Sequence, residues 1–207
     1  MADARPPGIY VLAGPNGAGK SSVLGAVLVA ADLDFYNPDA AAHKLRRRHP
    51  EVTQSNANSV AWRKMRQDLE AAIRDTKSYA FETTLGGRTI AGLLHSAIGS
   101  GLEVHIWYIG LDSPERCIAR VKQRVASGGH DIPEQRIRER YDGSRATLAR
   151  LVSKVALLKV FDNSQEGDPP QPRLLLHVER GRIRFMADDA GMPEWAKPIA
   201  GAMNPSP

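Results

Sequence analysis

The chain has 207 residues, 42% of them hydrophobic and 25% charged, with a formal net charge of +5. That length buries a full hydrophobic core, and the composition excludes disordered, fibrous and collagen-like classes. Cys117 is the sole cysteine, which excludes an intrachain disulfide and a thiolate zinc cluster.

Met1–Gly8 carries Asp3, Arg5, Pro6 and Pro7 and lacks the apolar run of a signal peptide. The most apolar stretch, Val23–Leu33, is shorter than the roughly 20 residues that cross a bilayer. Both features, with the lone cysteine, point to a cytoplasmic protein that makes no membrane contact. The isoelectric point near 9.5 suits either a nucleic-acid binder or a solvated surface around an anion site. Aromatic residues at 6% and the lack of an aromatic-interleaved basic motif argue against nucleic acid.

Gly8–Ala13 reads as a buried strand, followed by a glycine-rich turn and a helix over Ser21–Ala31. Asp34–Asn37 reads as a short strand that Pro38 ends. Ala40–Arg48 is helical, with Pro50 as its stop. Val60–Lys77 has one apolar helical face, and Ser78–Glu82 is a third strand. A helix over Arg88–Ser100 leads to the clearest strand, Leu102–Ile109. Ser113 and Pro114 start a helix that runs to Ala126. A flexible link at Ser127–Asp131 precedes a long charged helix from Pro133, and Leu157–Asp162 is a fifth strand. Arg173–Val178 and Arg182–Phe185 read as a hairpin, and the tail from Met186 as a surface wrap.

Strands alternating with helices predict βαβ crossovers and a three-layer α/β fold with a mostly parallel five-stranded sheet. The chain reads as a single domain over 1–207, with its core at 8–164 and a hairpin and surface tail at 165–207.

Gly14-Pro15-Asn16-Gly17-Ala18-Gly19-Lys20-Ser21 matches the phosphate-binding loop pattern in full, between a strand and a helix. Glycines let several backbone N–H groups converge on one phosphate cluster, and the helix start adds partial positive charge. Lys20 is the candidate ligand of the β and γ phosphates of ATP. Ser21 is the candidate ligand of Mg2+, and Ser22 completes the loop. Thus the chain is expected to have the P-loop NTPase fold.

Ligands of open α/β sheets bind beyond the carboxyl ends of the strands. Asp39, two residues past the second strand, is there a candidate general base, or an N-cap of the helix that follows. Glu82, Thr83 and Thr84 end the third strand and are candidates for substrate binding, or for turn formation. Arg116, Arg120 and Arg124 recur every fourth residue before a glycine pair, which suits a lid that closes arginines over phosphates. Arg120 and Arg124 are the stronger candidates, and a solvated helical face is the alternative. His130 either touches substrate or packs in its loop. The arginines from Arg136 to Arg150 read mostly as surface. Asn163, at the end of the fifth strand, is a candidate contact for the adenine base.

In this order, Gly14 to Ser22, Asn37-Pro38-Asp39, Phe81-Glu82-Thr83-Thr84, Arg120 to Arg124, Gly128 to Glu134 and Phe161 to Ser164 resemble the zeta toxin family. The closer likeness is to its short stand-alone branch, described as ABC-type ATPases, although no ABC signature is present. The resemblance spans roughly Ile9 to Ser164. It implies a kinase that uses ATP and Mg2+ to phosphorylate a hydroxyl of a small acceptor, in well-studied members the 3′-hydroxyl of UDP-N-acetylglucosamine. It also implies a small helical antitoxin as partner. Lys20 and Ser21 match the ATP and magnesium positions, and Asp39 matches the catalytic base. Glu82 and Thr84 match substrate contacts, and Arg120 or Arg124 a phosphate-clamping arginine. Active toxins carry a second arginine just after the lid loop; here none occurs before Arg136. Three alternatives remain open at the level of sequence: another small-molecule P-loop phosphotransferase, a regulatory ATPase without an acceptor, and an RNA-binding ATPase.

Overall fold

The computed structural model describes residues 6–20, 35–165, 167 and 171–203. The helix expected over Ser21–Ala31, with the candidates Ser21 and Ser22, lies outside the described residues.

Seven strands form one sheet: β1 (Gly8–Ala13), β2 (Phe35–Tyr36), β3 (Tyr79–Thr83), β4 (Glu103–Gly110), β5 (Leu157–Asp162), β6 (Arg173–Glu179) and β7 (Arg182–Met186). Their order is β2-β3-β1-β4-β5-β6-β7. The first five run parallel; β6 joins antiparallel to β5, and β7 antiparallel to β6. The five parallel strands and the C-terminal hairpin are as expected, and the hairpin extends the sheet to seven strands. Every residue of β1 is buried, as expected of a central parallel strand covered on both faces.

The described helices are α1 (Pro38–Arg48), α2 (Gln54–Arg74), α3 (Arg88–Gly99), α4 (Pro114–Ala126), α5 (Glu134–Leu151) and α6 (Lys197–Gly201). One layer is built from Met65 and Leu69 of α2, Ile90 and Leu94 of α3, Leu148 and Leu151 of α5, and Ile199 of α6. These pack on Val11, Phe81, Ile106 and Val160. The other layer sets Cys117, Ile118 and Val121 of α4, with Ile137 and Tyr141 of α5, against Leu12 and Ile109. No helix among the described residues is long and apolar enough to cross a membrane.

Helix starts follow local chemistry. Asn37 caps α1 by accepting from the Ala40 N–H at 3.0 Å, with Pro38 at the first helical position. That assigns the cap to Asn37, not to Asp39. Thr53 caps α2 through the Asn56 N–H at 3.2 Å, so α2 begins six residues ahead of the apolar periodicity that opens at Val60. Ser113 caps α4 as the sequence predicts.

The tail is corrected most. Instead of wrapping the surface, Met192, Trp195, Ala196 and Ile199 are buried in the main core. The Trp195 indole lies over Gly110 at the end of β4, where an added Cβ would stand 2.2 Å from its ring. Its N–H donates to Asp162 Oδ1 at 3.3 Å.

Candidate active site

The loop after β1 turns through positive φ at Gly14, Gly17 and Gly19. At Gly14 a side chain is doubly forbidden: φ is 142°, and a Cβ would meet the Ile109 carbonyl at 2.1 Å. The loop is braced from two sides. The Asn163 amide, 3% exposed, donates to the Ala18 carbonyl at 2.9 Å. Asn163 is thus spent on the loop backbone, where the sequence suggested a contact with adenine. From the other side Arg140 of α5 donates to Asn16 Oδ1 at 3.1 Å.

Lys20 is buried at 7% exposure. Its ammonium donates to the carbonyls of Gly14 (3.0 Å) and Pro15 (3.1 Å). It also lies 3.6 Å from Glu82 Oε1. Glu82 sits opposite Leu12 in the sheet register, which brings the ends of β3 and β1 level. Its other oxygen accepts from the Asn37 amide at 2.9 Å. A chain of polar contacts therefore runs from the loop lysine through Glu82 and Asn37 to the first turn of α1, which carries Asp39.

The Asp39 side chain is about half exposed, and its carboxylate lies 3.9 Å from His130 Nε2. Burial holds the His130 imidazole below its ordinary pKa, opposed by the Asp39 charge. Burial likewise lowers the pKa of Arg140, again opposed by Asp39. Asn16, Lys20, Asp39, Glu82, Thr84, Arg136 and Arg140 line one cavity of about 340 Å³. Beyond it a wider chamber of about 870 Å³ shares Asp39, Trp62, Arg136 and Arg140, and adds Arg63 and His130.

Most of the described candidates thus converge, and the arginines of α4 do not. Thr83 spends its hydroxyl on the Leu85 N–H at 3.1 Å, a turn contact, although it also borders the cavity. Arg120 packs against Gly17, and Arg124 donates to the His130 carbonyl at 3.3 Å. Neither lines the cavity, whereas Arg136 and Arg140, read as surface, do. Arg116 is paired with Asp112 at 2.9 Å. The missed signal was the row Arg136, Arg140, Gly143, Ser144 on α5. Gly143 lets α5 cross the loop after β3 so closely that a Cβ there would meet the Gly86 carbonyl at 2.7 Å.

Three comparisons bear on this arrangement. An uncharacterized protein of Haemophilus influenzae is 33% identical over 132 residues, covering 62% of this chain and 88% of that one. The AvrRxo1-ORF1:-ORF2 complex crystallised with ATP superposes with a TM-score of 0.65 at 16% identity, over 100% of this chain and 66% of that chain. This chain therefore spans about two thirds of that protein's length. The PezAT toxin-antitoxin system of Streptococcus pneumoniae gives a TM-score of 0.59 at 11% identity, over 99% of this chain and 88% of that chain. At such identities the solved structures establish the fold, an α/β P-loop kinase-like one. The profile of the family described as zeta toxin matches residues 1–167, which takes in the P-loop, Asp39, Glu82 and Asn163, and the chain belongs to that family.

Proposed function

We propose that this P-loop kinase transfers the γ-phosphate of ATP to a hydroxyl of a nucleotide-sugar of the UDP-N-acetylglucosamine type. The observation that carries the reading is the shared cavity: the Lys20 ammonium and the Asp39 carboxylate line one chamber beyond the strand ends. A phosphate held by the loop and a hydroxyl beside Asp39 would meet there. Transfer then has simple bookkeeping. The hydroxyl oxygen forms its bond to Pγ as the bond from Pγ to the β-bridging oxygen breaks. The hydroxyl proton goes to Asp39, and ADP leaves. Arg140 and Arg136, which line the same cavity, would stabilise the charge that builds up on the transferring group.

Trp62 supports the acceptor class. It is 39% exposed and lines both chambers, as does Arg136, and Arg63 lines the wider one. A flat aromatic face flanked by guanidinium groups suits a nucleobase followed by phosphates. The ATP crystallised with the AvrRxo1 complex supports the donor. Magnesium supplies charge neutralisation at the phosphates when bound. Ser21, which ends the P-loop pattern, is the residue that would hold the ion together with nucleotide oxygens. A small helical antitoxin is the proposed protein partner, in keeping with the PezAT toxin-antitoxin system.

The test is transfer of labelled phosphate from ATP to a panel of nucleotide-sugars, with Asp39→Asn alongside. The variant is expected to keep ATP binding and to lose about 10²- to 10⁴-fold in transfer rate. Normal transfer by Asp39→Asn would remove the base. ATP binding with no acceptor phosphorylated would remove the nucleotide-sugar.

A further inference from the structure

We propose that Glu82 is a latch on the nucleotide lysine, which holds Lys20 away from ATP until the acceptor chamber is filled. The inference rests on the ATP-dependent reading above, but its test needs no phosphate transfer.

Three observations carry it. First, the Lys20 ammonium is turned onto its own loop, with the Gly14 and Pro15 carbonyls at 3.0 and 3.1 Å and Glu82 Oε1 at 3.6 Å. Two donors of the ammonium go to the carbonyls, and the carboxylate holds it from ion-pair distance. To reach the β and γ phosphates, Lys20 must leave at least part of this set. Second, the pair is sheltered. Side-chain exposure is 8% for Lys20 and 10% for Glu82, so water screens their attraction far less than at a surface. Third, Glu82 faces both ways. It lines the acceptor cavity, and the Asn37 amide fixes its second oxygen at 2.9 Å. Asn37 in turn caps α1 through the Ala40 N–H.

The coupling follows from charge. With the chamber empty, the carboxylate and the loop carbonyls are the partners of Lys20. An acceptor hydroxyl that donates to Glu82 spreads the carboxylate charge and loosens its hold on the ammonium. Lys20 then turns to the phosphates. By linkage, ATP that draws Lys20 away leaves Glu82 a better hydrogen-bond acceptor for the substrate. Each ligand favours the other, and γ-phosphate activation waits for a hydroxyl to receive it. Glu82 is on this account a positioning residue that acts through Lys20.

The test measures binding of the non-hydrolysable analogue AMP-PNP with magnesium, without acceptor, in a double-mutant cycle. Glu82→Gln is nearly isosteric and keeps an oxygen for Asn37. In the lysine-bearing protein it should tighten analogue binding about fivefold, the worth of one sheltered ion pair. In a Lys20→Gln background, read at millimolar analogue, the same change should shift affinity less than about twofold. Unchanged or weaker binding in Glu82→Gln overturns the latch. An equal gain in both backgrounds also overturns it, because the effect then belongs to the charge of Glu82 on the triphosphate and not to its hold on Lys20.

Discussion

Arg140 illustrates how a side chain gains its role from a crossing. It is one of several arginines on a charged helix, and along the sequence it differs little from Arg138, which pairs with Glu115 at the surface. In the fold Arg140 is half-buried, bonded to Asn16 of the P-loop, and faces the chamber that holds Asp39. Its planar fork can serve the loop and a transferring phosphate together, which a lysine cannot do. Arg140→Lys is therefore expected to lower kcat about a hundredfold while ATP affinity changes less than about fivefold. Steady-state kinetics with the active acceptor, beside nucleotide titration, check both values. Lys20, Asp39 and Glu82 were legible in the sequence because each lies at or just beyond the carboxyl end of a strand, and parallel strands end on one side. The arginines were not, since which face of α5 meets the P-loop is a property of packing. Thr83 was legible both as a neighbour of the site and as a turn former, and the turn contact is present; the bond of Asn163 to the loop backbone was not legible.

At the scale of elements, the crossing of α5 over the β3–α3 loop sets the width of the chamber. Gly86 and Gly143 touch there without side chains: a Cβ on Gly86 would stand 2.9 Å from Arg140 Cα, and one on Gly143 would stand 2.7 Å from the Gly86 carbonyl. Gly143 lies inside a helix, where alanine is intrinsically favoured by roughly 1 kcal/mol. Gly143→Ala should nonetheless destabilise the protein by about 1–3 kcal/mol, because the new methyl drives α5 off the loop. The same displacement moves Arg140, so activity should fall as well. Urea denaturation and kinetics on one preparation check the pair of effects, and a stabilised variant would show that helix propensity outweighs the clash. Sequence periodicity found each strand to within a residue or two because their apolar runs are short and bounded. It placed the start of α2 late because the first turn, Gln54 to Ala57, is polar except for the buried alanine. Only the Thr53 cap marks the true beginning.

For the whole molecule, the C-terminal segment is a structural wedge. Trp195 fills the space beside Gly110, stacks at an angle on Tyr108 with centroids 6.1 Å apart, and hydrogen-bonds Asp162. Trp195→Ala should cost about 3–5 kcal/mol and lower Tm by roughly 10 °C or more, which a thermal melt reads directly. The tail was misread because its prolines, glycines and small residues look like a surface wrap, while the few apolar residues that bury it are widely spaced. Asp162 and Asn163 then divide their duties at the end of β5, the first holding the wedge and the second the P-loop.

The position of β1 has a consequence for the chain as it is made. This strand is synthesised first among the seven, yet it lies inside the sheet, between β3 and β4. Its partners emerge some 70 and 95 residues later, and Trp195 emerges after every strand. At about 5–20 residues per second, the nascent chain exposes its most apolar strand for several seconds before a partner appears, and waits roughly 10–40 s for the wedge. Translation speed, and any chaperone that shelters the nascent chain, would therefore govern how much active kinase a ribosome delivers.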